Sequence, residues 1–188
     1  MYRLGTFLAR SIIIVTSGKA ATVGPRALDE MIRLVVRQRK QPILVLGPDG
    51  DEFLRACEEI ESCEIIFDPN YDGGLFSGVK AGLHATTSAA FVVALGEPIH
   101  EEAFPLLAKE LWQIGHDDSK RQLDCDIICP LTQIDGREIP VFPVLVTGLG
   151  TEDLKELAAT TAWTSETIRR SFVRLPRSTR DTDTEIHN

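Results

Sequence analysis

The sequence predicts an α/β domain whose doubly wound, mostly parallel sheet is covered by helices on both faces. Through about residue 115, short apolar runs alternate with longer stretches of helical periodicity. The run AAFVVALG at 89–96 is continuously apolar, as in a central parallel strand that is buried on both faces. Gly-rich or Pro-containing turns follow the apolar runs. This alternation is typical of parallel strands joined by crossover helices.

The first two thirds of the chain contain four predicted strands and four predicted helices. The strands are predicted over 11–16, 42–47, 63–69 and 89–96. The helices are predicted over 26–38, 50–62, 75–87 and 100–115. Leu28, Ile32 and Val35 recur at helical spacing in the first helix, and Pro105 falls in the first turn of the last one.

The alternation ends after the fourth helix. A charged loop is predicted at 116–124, then strands over 125–132, 135–147 and 171–176 with helical pieces over 151–161 and 164–170. Asp135-Gly136 between two apolar runs predicts a β-hairpin. By composition alone, the polar tail 177–188 is expected to be a frayed end. We expect residues 1–10 to be a short lead-in and 11–188 to form a single domain.

Composition narrows the classes of partner and the location. The chain has 20 basic and 28 acidic residues, a net charge of -8, which argues against nucleic acid or an anionic membrane as the main partner. No apolar run approaches the ~20 residues of a membrane span, and Arg10 interrupts the apolar N-terminus, so we expect a cytoplasmic protein. The four cysteines show no C-x-x-C spacing and are expected to be buried free thiols.

The loop after the first strand has features of a phosphate-binding loop. Thr16, Ser17 and Gly18 follow the strand directly, and Gly24 lies further on. Small residues let backbone N–H groups approach phosphate oxygens, and a helix N-terminus adds partial positive charge. Lys19 and Arg26 can neutralise a triphosphate. The spacing is neither a Walker loop nor G-x-G-x-x-G, so an ordinary strand-to-helix loop stays open as the alternative.

Two further stretches follow predicted strands. In DPNYDGGLFSGVKAGL at 68–83, a Gly-Gly turn enters a helix and can cradle a base or sugar; alternatively Gly82 only packs the helix on the sheet and Lys80 is solvated. In GEPIH at 96–100, Glu97 ends a buried strand, where a carboxylate is costly unless it is exposed or bound. Hard divalent cations take such oxygens, although a solvated glutamate is the simpler alternative.

In this order, the three stretches resemble the MobA-like nucleotidyltransferase family, which includes the molybdenum-cofactor guanylyl- and cytidylyltransferases. VTSGKAATVGPRAL lies over the family's LAGGxSxRMGxxKxLL with one residue missing, matching Gly18, Lys19 and Gly24. DPNYDGGLFSGVKAGL matches NPxxxxGmxxSLxAGL through Pro69, Gly74, Lys80, Ala81, Gly82 and Leu83. GEP is the counterpart of GDxP, and RDTDTE, with Asp181 and Asp183, resembles the closing D-x-D-T segment. The resemblance covers about residues 11–186.

The resemblance implies a Rossmann-like, three-layer α/β/α fold of the nucleotide-diphospho-sugar transferase type. It implies transfer of a nucleoside monophosphate from an NTP to a small phosphorylated acceptor, such as a molybdopterin-type cofactor, with Mg²⁺. Lys19 and Arg26 would then be catalytic, and Glu97 and Asp183 would bind the metal. The residues expected to bind the nucleotide are Thr16, Ser17, Gly18, Gly24, Asp68, Gly74, Ser77, Gly78 and Lys80.

Three departures from the family pattern concern charged or metal-binding positions. Thr22 stands where the family has Arg, which removes a bidentate phosphate donor. Arg26 stands in place of Lys and changes reach and geometry. Glu97 for Asp adds a methylene to a metal ligand. Three hypotheses therefore remain open: a divergent nucleotidyltransferase, an inactive nucleotide-binding or accessory protein of the same fold, and a generic Rossmann-like domain with another ligand.

Overall fold

A computed structural model describes residues 9–16, 20–48, 50–71, 74–116, 125–158 and 165–176. These residues form an α/β fold with one mixed sheet. The elements in chain order are β1 (Ser11–Val15), α1 (Ala20–Arg37), β2 (Gln41–Leu46), α2 (Gly50–Ala56), β3 (Glu64–Phe67), α3 (Leu75–His84), β4 (Ala90–Ala94), α4 (Ala103–His116), β5 (Ile127–Ile134), β6 (Arg137–Pro140), β7 (Val144–Val146), α5 (Gly148–Glu156) and β8 (Arg170–Arg174). Residues 1–8 of the predicted lead-in at 1–10 and the whole tail at 177–188 lie outside the described residues.

The first four strands form a parallel half-sheet in the order β3-β2-β1-β4. Ile13 of β1 pairs with Ile43 of β2 on one side and with Val92 of β4 on the other. β3 extends the same parallel arrangement beyond β2. The predicted alternation of parallel strands and helices is therefore confirmed for this half of the molecule.

Successive strand residues face two separate hydrophobic clusters, because side chains alternate across a sheet. Ile12 and Ile14 point to the cluster that contains core residues of α1, α2 and α4. Ile13 and Val15 point to the opposite cluster, which contains core residues of α3 and α5. Both faces of the sheet are thus covered, and this explains why the strand sequences are continuously apolar rather than alternating.

The second half of the sheet contains the antiparallel strands. β7 pairs antiparallel with both β4 and β5, β6 pairs antiparallel with β5, and β8 pairs parallel with β5. Ile128 pairs with Leu145 and also with Ser171, while Leu131 pairs with Pro140 and also with Arg174. β6 and β7 therefore lie on the same side of β5, opposite β8. The sheet is mixed, with β1–β5 and β8 pointing one way and β6 and β7 the other.

Several predicted boundaries differ from the structure. The helix predicted over 50–62 ends at Ala56 and is followed by a 3₁₀ turn at Ile60–Ser62, because Glu59 N–H donates to Asp29 on α1 (3.0 Å). The helical piece predicted over 164–170 is wrong: 165–169 form a turn that leads into β8. The strand predicted over 135–147 is divided into β6 and β7, with a cis Phe142–Pro143 peptide between them.

The predicted hairpin at Asp135-Gly136 is confirmed. These two residues join β5 to β6 and adopt φ values of 51° and 76°. Positive φ at both central residues is the backbone that an Asp-Gly pair favours in a two-residue hairpin turn. As for membrane spans, the helices within the described part of the chain are all too short or too polar to form one.

Candidate functional site

The carboxyl ends of β1–β4 bring the three predicted stretches to one edge of the sheet. Leu95 N–H, just after β4, donates to the Val15 carbonyl (2.9 Å), and Asp68 N–H, just after β3, donates to the Leu46 carbonyl (2.9 Å). β1 has β2 and β3 on one side and β4 on the other, so the strand order reverses between β1 and β4. Open α/β sheets bind ligands beyond the carboxyl ends of the strands where the strand order reverses.

Thr16 forms the base of the loop after β1. Its side chain is 1% exposed, and its hydroxyl donates to the Val45 carbonyl (2.9 Å). The hydroxyl therefore links the ends of β1 and β2. Ser17, Gly18 and Lys19, which sequence reasoning assigned to the phosphates, lie outside the described residues, as does the side chain of Thr22.

Tyr71 is a residue of this edge that the sequence analysis did not single out. Its hydroxyl donates to the Thr16 carbonyl (2.8 Å). Its ring lies on Gly47, where an added Cβ would be 2.3 Å from the ring. Tyr71 thus connects the segment after β3 to the ends of β1 and β2. One tyrosine among glycines gives no periodic signal, so only the fold reveals this contact.

Gly24 and Arg26 lie at the start of the long part of α1. Gly24 has φ 77° and ψ 168°, which interrupts the helix, and Pro25 begins the regular turn that follows. The Arg26 side chain is 93% exposed and pairs with Glu30 one turn further on (3.3 Å). The positive φ angle therefore requires a glycine at position 24, because residues with a side chain rarely adopt it. The catalytic role of Arg26 stays a prediction, since its described ion pair lies along the helix.

Asp68 and Ser77 are brought together by the structure. Asp68 is 3% exposed, and its Oδ1 accepts hydrogen bonds from Asn70 N–H (2.8 Å) and the Ser77 hydroxyl (3.1 Å). Within the described part of the chain, the buried Oδ2 atom has no hydrogen-bond partner. An unpaired buried carboxylate oxygen is rare in native proteins and requires an explanation.

Three glycines and one lysine at and within α3 serve helix capping, helix–sheet packing and a hydrogen bond to the end of α5. Gly74 caps the helix with φ 77°, and no atom of the described residues lies within 4 Å of the position of an added Cβ. An added Cβ would meet Val15 at 2.4 Å from Gly78 and Ile13 at 2.4 Å from Gly82. These two glycines therefore let α3 lie close to β1, which agrees with the alternative interpretation of Gly82; nucleotide binding by Gly78 stays a prediction. The ammonium group of Lys80 donates to the Leu157 carbonyl, at the end of α5.

Glu97 follows β4 in a turn that contains Gly96 (φ 84°), and its N–H donates to the Ala94 carbonyl (3.1 Å). Its side chain is partly exposed. Asp183, the other predicted metal ligand, lies outside the described residues. Among the residues that are described, no three His, Cys, Asp or Glu side chains are grouped to hold a metal. Mg²⁺ commonly takes one or two carboxylates together with substrate phosphates, so Glu97 is compatible with that mode of binding.

The four cysteines are free thiols, and three of them are buried. Burial raises the pKa of Cys57, Cys63 and Cys125 to about 11 and that of Cys129 to about 12. A raised pKa keeps a thiol protonated and unreactive at neutral pH. The prediction of buried free thiols is confirmed for all but Cys63, which is half-buried.

No protein-family model matches the chain, and no curated protein matches it at a significant level.

Proposed function

We propose that this chain binds a nucleoside triphosphate at the carboxyl edge of β1–β4 and is a divergent nucleotidyltransferase of the MobA-like type. The fold would then be the Rossmann-like variant of the nucleotide-diphospho-sugar transferases. The observation that supports the proposal is the reversal of strand order between β1 and β4, because the loop after β1 and the turn after β4 flank it and Gly78 of the stretch at 68–83 packs on Val15 at the end of β1.

Each stretch takes one part of the ligand in this proposal. The loop after Thr16 and the start of α1 hold the triphosphate, with Lys19 and Arg26 supplying positive charge. The segment from Asp68 to Gly74 and the start of α3 lie on the nucleoside side. Glu97 and Asp183 would hold Mg²⁺, which neutralises phosphate charge when it is bound.

The transfer requires positioning rather than covalent chemistry by the protein. A phosphate oxygen of the acceptor forms a bond to the α-phosphorus of the NTP, and the bond from that phosphorus to the bridging oxygen breaks. Pyrophosphate leaves with the bonding electrons. The chain contributes alignment of the two phosphates and stabilisation of the developing charge. A small phosphorylated acceptor, such as a molybdopterin-type cofactor, is suggested by the family resemblance.

A second candidate function is nucleotide binding without catalysis, as an accessory protein. The observation that favours it is Arg26, whose guanidinium is exposed and paired with Glu30 along the helix. Thr22 likewise lacks the charge expected at its position. Losing a charged transition-state contact lowers the rate by about 100- to 1,000-fold. Binding through backbone groups would survive that loss.

The two candidates are separated by thermal unfolding with each of the four NTPs, with and without Mg²⁺. A ligand at 100 times its Kd adds about 2.7 kcal/mol of stability. The assay compares wild type with Glu97→Ala and with Glu58→Ala, which changes a remote glutamate that is 84% exposed. Pyrophosphate release is measured in parallel with a panel of phosphorylated acceptors, including sugar phosphates and a pterin phosphate.

We expect one NTP to raise the melting temperature in a manner that depends on Mg²⁺ and Glu97 but not on Glu58. Pyrophosphate release with an acceptor would then establish the transferase. A shift that is indifferent to Mg²⁺ and Glu97, without pyrophosphate release, would support the binding protein instead. The absence of any shift at millimolar NTP would refute both candidates.

A further inference from the structure

The Tyr71 hydroxyl holds the backbone at the point where the proposed phosphate loop begins. Thr16 is the last described residue before that loop, and its carbonyl accepts a hydrogen bond from the Tyr71 hydroxyl (2.8 Å). A peptide unit is planar and trans, so its N–H points the opposite way from its carbonyl. Fixing the Thr16 carbonyl therefore sets the direction of the first N–H of the loop.

The other polar groups of Thr16 are held by the neighbouring strand. Its N–H and its hydroxyl both donate to the Val45 carbonyl of β2, at 3.3 Å and 2.9 Å. These two bonds fix where Thr16 lies, but the direction of its carbonyl depends on the ψ angle of the residue, which they do not set. The hydrogen bond from Tyr71 acts on that angle.

The Tyr71 ring reaches Thr16 because residue 47 has no side chain. The ring occupies the place where a side chain would begin, since a Cβ added to Gly47 would lie 2.3 Å from it. The backbone of Tyr71 is held as well, because its carbonyl accepts from the N–H of Gly74, the N-cap of α3 (3.1 Å). The tyrosine is thus fixed at its backbone, its ring and its hydroxyl, as a group that orients another must be.

We propose that Tyr71 is a positioning residue for the triphosphate: its hydroxyl turns the peptide that follows Thr16 so that the N–H of this peptide faces a phosphate oxygen. This inference rests on the proposed nucleotide site. The Tyr71 hydroxyl carries no charge and already donates its proton to the backbone, so it acts through the loop and not on the phosphate itself. Backbone N–H groups bind phosphate best when they are oriented before the ligand arrives.

The competing explanation is that this hydrogen bond only stabilises the fold. The two explanations differ in the ligands that they affect. A loop oriented for phosphates matters equally for an NTP and for inorganic tripolyphosphate, which has the same chain of phosphates and no nucleoside. A purely structural hydrogen bond matters for neither ligand, provided that the protein is folded.

The test measures dissociation constants by calorimetry for the best-binding NTP and for inorganic tripolyphosphate, at the same concentration of free Mg²⁺. Wild type is compared with Tyr71→Phe and with the control Thr147→Val. The Thr147 hydroxyl is buried and donates to the Cys125 carbonyl (2.6 Å) while it accepts from the Gly150 N–H (2.9 Å). Thr147 follows β7 beside the start of β4, which is the opposite edge of the sheet from the proposed site.

We expect Tyr71→Phe to weaken both ligands by the same factor of about 10, the equivalent of about 1.4 kcal/mol. Thr147→Val should bind both ligands as wild type does, although it also loses buried hydrogen bonds. Gly47→Ala is a second way to the same result, because the added methyl group displaces the Tyr71 ring. It should weaken both ligands when made alone and have no further effect on affinity when combined with Tyr71→Phe. Circular dichroism and the melting temperature of the ligand-free proteins report whether each variant folds.

The outcomes separate this inference from the function on which it rests. If wild type binds an NTP but tripolyphosphate does not compete with it, Tyr71 has no phosphate loop to position, and the nucleotide site stands without this role. Unchanged affinity for tripolyphosphate in folded Tyr71→Phe, or an equal loss in Thr147→Val, also overturns the inference alone. If wild type binds no NTP at all, the proposed function and the inference are both wrong.

Discussion

Two buried aspartates, one in each half of the sheet, have opposite hydrogen-bonding environments. Asp68 follows β3 in the parallel half, and Asp126 precedes β5 in the mixed half; they are 3% and 2% exposed. Both oxygens of Asp126 are satisfied, because Oδ2 accepts from the Arg169 N–H (2.8 Å) and Nε (3.2 Å) and Oδ1 accepts from the guanidinium (2.5 Å). Among the described residues, Asp68 has partners for Oδ1 alone.

The difference lies in how many elements of the fold each carboxylate joins. Asp126 holds the turn at 165–169, which delivers β8 to the edge of β5. Its backbone carbonyl also accepts from Thr147 N–H, the N-cap of α5 (2.9 Å). Every polar atom of Asp126 therefore joins two elements of the fold. Asp68 joins the end of β3 to α3 through Oδ1, and its buried Oδ2 has no partner among the described residues.

The largest expected effect is that of Arg169→Ala, which leaves Asp126 Oδ1 without its guanidinium donor while the backbone N–H of residue 169 still donates to Oδ2. The variant leaves a buried carboxylate without its guanidinium partner. Breaking a buried ion pair from one side costs about 3–5 kcal/mol, and the partial exposure of Arg169 favours the lower end of that range. Urea unfolding at neutral pH measures the change.

Arg174→Ala is the matched control for that variant. Its guanidinium pairs with Glu138 (2.6 Å), but the Arg174 side chain is 80% exposed. Exposed pairs contribute about 0–1 kcal/mol, so this variant should be nearly as stable as wild type. Equal losses for Arg169→Ala and Arg174→Ala would show that Asp126 does not depend on its pairing.

The next largest effect compares a glycine in each half. An added Cβ at Gly150 would lie 2.0 Å from the carbonyl oxygen of Asp126, whereas one at Gly47 would lie 2.3 Å from the Tyr71 ring. Overpacking typically costs about 1–3 kcal/mol, and backbone cannot move aside as a side chain can. We expect Gly150→Ala to lower the free energy of unfolding more than Gly47→Ala does.

A double-mutant cycle tests the reason for that order. If the Tyr71 ring is what Gly47→Ala disturbs, the added methyl group should cost much less in a Tyr71→Ala background. The same background should leave the cost of Gly150→Ala unchanged. Independent effects of Gly47→Ala and Tyr71→Ala would contradict the packing of this ring on Gly47.

Tyr71→Phe has a smaller expected effect, because it removes only the hydrogen bond to the Thr16 carbonyl. A neutral hydrogen bond contributes about 1 kcal/mol, so the free energy of unfolding should fall by about that amount. If Tyr71 also orders the proposed site, the variant should weaken NTP binding. An unchanged affinity for NTP in the folded variant would show that the Tyr71 hydroxyl only stabilises the fold.

The parallel half was the more predictable from sequence, for a physical reason. Buried strands such as 89–96 and amphipathic helices such as 26–38 carry periodic signals that need no knowledge of neighbours. The turn at 165–169 was predicted as helix because its conformation depends on Asp126, some 40 residues away in sequence. The candidate site shows the same dependence on sequence separation. Asp68 and Ser77 lie nine residues apart on one stretch that the sequence already singles out. The hydrogen bond from Tyr71 to Thr16 spans 55 residues and depends on how the strands pair.

The smallest expected effect concerns the buried thiols at alkaline pH. Burial raises the pKa of Cys129 from 9.0 to about 12 and that of Cys57 to about 11. Below pH 9 both the folded and the unfolded states hold these protons, so stability does not depend on the thiols. Above pH 9 the unfolded thiols ionise first, so the free energy of unfolding falls as pH rises toward the folded pKa. Between pH 8 and pH 9.5 we expect each thiol to contribute ~0.8 kcal/mol to that fall. Urea unfolding of wild type, Cys57→Ala and Cys129→Ala at the two pH values measures this contribution, because other groups titrate equally in all three proteins.

A smaller fall in the free energy of unfolding for both variants than for wild type would show that the two halves of the sheet bury their thiols alike, despite the different pairing of their aspartates. A fall equal to that of wild type in either variant would mean that the thiol removed in that variant is exposed to solvent in the folded protein.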